Sequence, residues 1–182
     1  MIMMTAQILY LLIGIIGVVI FSVQNSKNGK KVEAKSIVGS CVTVILTVIF
    51  MYILAYVIFL VSANMTGGMT SIVLGCIGDV AVPLILALGS MLLIGKIFGR
   101  KQSGLLIIGI VAAVCLILGC ILDGVDLVEQ QKLIEQMMSG SGSFFDIFMY
   151  QPKFTYIVKI LVLVPAIVRL VLTAIDKNNQ AN

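Results

Sequence analysis

The chain contains no histidine and no tryptophan, and only 11% of its residues are charged. Without histidine it lacks the commonest neutral-pH general base and the commonest metal ligand. No glycine-rich loop is placed to cradle a phosphate, no two carboxylates pair at short spacing within an apolar run, and no cysteine sits in a polar setting. These absences argue against an enzyme and give no reason to expect a cofactor or a bound metal. Cys41, Cys76, Cys115 and Cys120 all lie in apolar runs, where a thiol behaves as a small hydrophobe and there are no loops to bridge. Any aromatic belt at a membrane boundary must be built from tyrosine and phenylalanine.

What is present is hydrophobic. Apolar residues make up 60% of the 182, with a mean hydropathy of +1.19, whereas soluble domains carry about 25% charged residues. The net charge of +4 is spread over short connections between apolar runs, a pattern that sets membrane orientation and excludes nucleic acid as a partner. The runs cover residues 2–23, 37–62, 71–95, 104–122 and 156–175, each near the ~20 residues that cross a bilayer. The expected fold is an all-α integral membrane bundle of about five transmembrane helices, forming a single domain over 1–182. Gly14 and Gly17 in the first run allow one close helix contact, and Gly109 and Ala113 in the fourth stand at the small-xxx-small spacing of packed membrane helices.

Orientation follows from the basic residues. The first run has no cationic stretch ahead of it and lysines behind it, so it reads as a retained span with its start outside. Lys27, Lys30, Lys31 and Lys35 in one connection, and Lys96, Arg100 and Lys101 in another, place both in the cytoplasm. The N-terminus is then outside and the C-terminus cytoplasmic, and the lysine and isoleucine usage suits a bacterial plasma membrane. Asn64-Met65-Thr66 matches the glycosylation pattern, but in a connection pressed against the membrane surface.

The loop 123–155 is acidic and belongs outside. Within it, residues 125–138 set Leu127, Ile134 and Met138 against Glu129, Lys132 and Glu135, the pattern of a short interfacial amphipathic helix lying on the bilayer or on a partner. Ser139 to Ser143, an alternating Ser-Gly tract, should break that helix as a flexible hinge. Phe144, Phe145 and Phe148, followed by Tyr150, Phe154 and Tyr156, form an interfacial anchor or a contact patch.

The third run holds a carboxylate, Asp79, with Pro83 one helical turn later. Ser71, Gly75, Asp79, Pro83 and Ala87 share one helix face and should meet protein rather than lipid. Pro83 has no N–H to offer the Asp79 carbonyl four residues back, and an acid at this depth costs about 2.5–3.5 kcal/mol. The fifth run carries Lys159, Pro165 and Arg169; either cation can reach Asp79, or each can snorkel to its own boundary. Pro165 in turn frees the Leu161 carbonyl.

Two functions fit this pattern. The first is a non-enzymatic subunit or interaction partner of a membrane complex of the secretion, immunity or assembly type, binding another membrane protein or itself as a homo-oligomer. The alternative is a small ion, proton or solute channel or transporter that uses Asp79 and works as an oligomer.

Overall fold

The computed structural model describes residues 3–27, 29, 31–63, 68–100, 104–143, 145 and 149–175. The regular elements among them are α1 (Met3–Lys27), α2 (Ala34–Ala63), α3 (Met69–Cys76), a π-helical turn (Ile77–Ala81), α4 (Val82–Ile97), α5 (Leu105–Met138), α6 (Thr155–Leu161) and α7 (Val164–Ile175). They join into five rods, Gln7–Lys27, Ala34–Ser62, Met69–Ile97, Leu105–Met138 and Thr155–Ile175, each long and apolar enough to cross a membrane. Ile45, Phe50, Leu106, Ile117 and Ile121 face outward, so the rods are apolar on their outer as well as their inner faces, the mark of a membrane helix.

The two basic connections meet at one end of the bundle, where Asn25 Nδ2 donates to the Phe98 carbonyl at 3.1 Å. At the other end, Gln131 Nε2 donates to the Gly68 carbonyl at 3.2 Å. Helix α4 runs through the middle, with Ala87, Met91 and Ile94 fully buried. Ser90 gives its proton to the Ala87 carbonyl (2.8 Å) and accepts the Tyr10 hydroxyl from α1, so two hydroxyls in an apolar interior satisfy each other. Helix α4 stops at Gly99, whose φ of 66° lets the Arg100 N–H turn back onto the Gly95 carbonyl at 2.9 Å.

The glycines of α1 serve two contacts rather than one. A methyl on Gly14 would lie 2.7 Å from Val44 Cγ1 of α2, and one on Gly17 would lie 3.1 Å from Leu170 and 3.3 Å from Met91. Gly109 and Ala113 behave otherwise. Both are exposed, and nothing within 4 Å would meet a Cβ on Gly109. Among the described residues no neighbour packs on this pair.

Two expectations for the acidic segment need correction. The amphipathic stretch 125–138 is not a separate surface helix but the continuation of the fourth rod in one 34-residue helix. Asp123 and Gly124 interrupt the hydropathy without breaking the helix, because Asp123 and Asp126 both turn inward and are buried. Leu127 likewise points into the bundle, its Cδ1 2.6 Å from where a Cβ on Gly75 would stand. Ile134 and Met138 remain exposed, Met138 at 80%. Nor is 139–143 an open hinge: the N–H groups of Ser141 and Gly142 and the hydroxyls of Ser139 and Ser141 all donate to the Gln136 carbonyl, and Gly140 makes the turn at a φ of 77°.

Phe145 is 72% exposed. Phe144, Phe148, the motif 64–66, Lys30, Lys101 and the tail 176–182 lie outside the described residues.

Candidate functional site

The third rod changes its helical pitch at Asp79. In the π turn the Val82 N–H reaches the Ile77 carbonyl, five residues back instead of four, and Pro83 follows in the first turn of α4, where a missing N–H costs nothing. Single π turns inside α-helices often mark functional sites. The neighbours of Asp79 are pinned on both sides. Gly78 sits beneath Ile58 of α2, 3.0 Å from its Cγ2 to a would-be Cβ, and fully buried Val80 presses into Gly119 of α5 at 2.6 Å on the same measure. Asp79 leaves between them and is exposed into a cavity of about 240 Å³.

The cavity is lined by residues from all five rods and from the connection 150–154, including Gln7, Asp123 and Lys159 beside Asp79 and Pro83. Lys159 is half-buried, its ammonium 5.7 Å from the centroid of the Tyr156 ring, and close enough to Asp79 for the two charges to attract. Asp123 is 8% exposed with Oδ2 lacking a hydrogen-bond partner among the described residues. The same holds for Gln7 Oε1, in a side chain 5% exposed.

Asp126, 5% exposed, builds one wall. Its Oδ1 accepts the Lys153 N–H at 3.0 Å and its Oδ2 the Phe154 N–H at 2.9 Å, so a carboxylate from α5 clamps the backbone immediately ahead of α6. The Tyr150 hydroxyl donates to the Asp126 carbonyl at 2.9 Å, and Lys153 Nζ donates to Glu129 at 2.8 Å. Burial, then the Asp126 and Glu129 carboxylates, push the Tyr150 phenol above its ordinary 10.0. Its hydrogen bond to Glu129, reinforced by that carboxylate's charge, raises Lys153. The connection is thereby strapped to α5, beside the cavity mouth.

The sequence-derived set divides here. Asp79, Pro83 and Lys159 come together around the cavity; Pro165 and Arg169 do not. Pro165 is buried just after the break at Val162 and Leu163, where the Leu163 N–H takes the Ile160 carbonyl three residues back (3.0 Å). Arg169, instead of snorkelling to a boundary, is fully buried, its Nη2 3.4 Å from a would-be Cβ on Gly95 of α4. Among the described members of the expected contact set, Leu127 lines the cavity and Ile134, Met138 and Phe145 do not.

No protein-family model, curated protein or solved structure matches the chain.

Three site residues escaped sequence reasoning. Asp123 and Asp126 counted as loop charge, yet Asp123, Asp126 and Gln130 stand at i, i+3 and i+7, a polar stripe on one helix face. Gln7 counted as a tolerated interruption of the first run. Chemically, the cavity gathers three carboxylates and the amides of Gln7 and Gln130 around one ammonium. It is an acceptor-rich space able to hold a donor-rich guest.

Proposed function

We propose that the protein is a small polytopic membrane protein that admits an ion or solute to this cavity, as a channel or carrier, with Asp79 as the group that meets it. The observation carrying this reading is that Asp79 opens into a cavity shared with Asp123 and Lys159 instead of being closed off by packing. A carboxylate at membrane depth is costly and usually faces a watery cavity or a pathway. The irregular turn ahead of Pro83 and the break ahead of Pro165 give the chain two interrupted rods, as in many transporters.

With the basic connections in the cytoplasm, the N-terminus is outside, the C-terminus is cytoplasmic, and the cavity belongs to the outer half of a bacterial plasma membrane. Five rods leave little room for a complete pathway, so translocation calls for a homo-oligomer or a partner. The test is flux of protons, alkali cations and small solutes into liposomes holding the pure protein. Flux that falls with Asp79→Asn supports the reading; no flux above empty liposomes for any species overturns the autonomous form.

A second reading, a subunit of a membrane complex, is favoured by the exposed Gly109 and Ala113 of α5, a small-residue face open to another helix. Affinity capture from gently solubilised native membranes tests it. A stoichiometric partner, or a second copy, that disappears with Gly109→Leu supports this reading, and recovery of the protein alone removes it.

A further inference from the structure

We infer that the guest of this cavity is a small organic cation, a solute whose primary ammonium is received by Asp79, Asp123 and Gln7. The inference rests on the solute-binding reading above and narrows its substrate class.

It begins with unfilled acceptors. Gln7 Oε1 and Asp123 Oδ2 are buried, have no hydrogen-bond partner among the described residues, and belong to side chains that line the same cavity. Leaving a buried acceptor unmet is unfavourable, and the penalty is larger for a charged one. Gln7 comes from α1 and stands outside the acidic cluster of α5, so two separate elements bring buried, unmet oxygens to the cavity's walls, each a side-chain rotation away from a guest. Asp126 does not add to the demand, because both its oxygens already take backbone N–H groups.

The charge balance points the same way. Asp79, Asp123, Asp126 and Lys159 are the charged groups lining the cavity, so with all four ionised it is short of positive charge. A primary ammonium brings one positive charge and three N–H donors, one for each of Asp79, Asp123 and Gln7.

The remaining walls distinguish an organic cation from a bare ion. Ala55, Pro83, Leu127 and Val158 line the same space and offer carbon, whereas hard metal ions prefer oxygen on every side. A volume of about 240 Å³ also greatly exceeds the ~30 Å³ share of one water. An alkyl chain against that wall, with its ammonium among the acceptors, uses both halves of the lining.

The experiment uses the full chain in nanodiscs and isothermal titration with three probes: propylammonium chloride, the neutral analogue propanol, and sodium chloride. We expect saturable heat with propylammonium only. Asp79→Asn and Asp123→Asn should each weaken that binding at least tenfold, and Gln7→Leu several-fold, in variants that keep the wild-type size-exclusion profile. Gln7→Leu changes no charge and so keeps the test decisive if a carboxylate variant misfolds. Saturable binding of propanol or sodium in place of propylammonium overturns the organic cation but leaves the solute cavity standing. So does propylammonium binding that none of the three variants alters. If no probe binds while liposome flux persists, the cation assignment alone falls; if flux is also absent, both readings fall.

Discussion

Replacing Gly119 by alanine places a methyl group where Val80 already is. A Cβ at that position would stand 2.6 Å from Val80 Cγ1, about 1 Å inside ordinary carbon contact of 3.5–4.0 Å. Val80 has little room to yield: it is β-branched, with a restricted χ1, fully buried, and carried on the π turn that aims Asp79. Overpacking of this kind costs about 1–3 kcal/mol, or roughly 2–12 °C of melting temperature at 2–4 °C per kcal/mol for a chain of this size. Val80→Ala alone leaves a void and loses about 1–2 kcal/mol. Combined, the new methyl occupies the space vacated by the valine γ-carbons, so the double variant should melt closer to wild type than either single one. Thermal unfolding in a mild detergent, followed by helical circular dichroism, reads all four corners of the cycle. Strictly additive losses, or a Gly119→Ala protein melting with wild type, would refute the proposed interlock between the π turn and α5.

Three further outcomes follow from the geometry. Asp126→Asn replaces a carboxylate that takes two backbone N–H groups, and exchange at the Lys153 and Phe154 amides should accelerate roughly tenfold to a hundredfold, as loss of a charge-assisted hydrogen bond of about 1.5–3 kcal/mol implies; unchanged protection refutes the clamp. The difference between ultraviolet pH titrations of wild type and Tyr150→Phe should show a phenol ionising above 10.0. Its folded value is raised, so its stabilising contribution is complete below the unfolded pKa near 10 and disappears as pH climbs through the folded one; a midpoint at or below 10 counts against the half-buried phenol beside Asp126 and Glu129. For orientation, in a cysteine-free background on intact cells, an impermeant thiol reagent should label Gly67→Cys and Ser141→Cys but not Asn28→Cys, and the opposite pattern inverts the assignment.

The rods were legible because long apolar runs and basic connections are one-dimensional signals. So was the company of Asp79, Pro83 and Lys159, since polar residues and prolines in apolar helices leave few ways to be accommodated. Where α5 ends was not legible: a fall in hydropathy at Asp123 marks a change of surroundings, and the backbone hydrogen bonds continue regardless. Gln7 was beyond reach for a different reason. Whether its amide is satisfied depends on the four other rods that share the cavity, and no local pattern encodes that. Arg169 is the converse, a residue whose length suits snorkelling but whose place beside Gly95 is set by tertiary packing.

The unbroken run of α5 has a mechanical meaning. It is a stiff beam of about 51 Å at 1.5 Å per residue, gripped near its middle where Val80 enters Gly119. Met138 lies about 28 Å beyond that fulcrum by the same rise, so a tilt of only about 5° would carry it some 2.5 Å, roughly, and swing Gly104 the other way. A displacement at one end of α5 is thereby coupled, through the backbone hydrogen bonds of a single helix, to an opposite displacement at its other end.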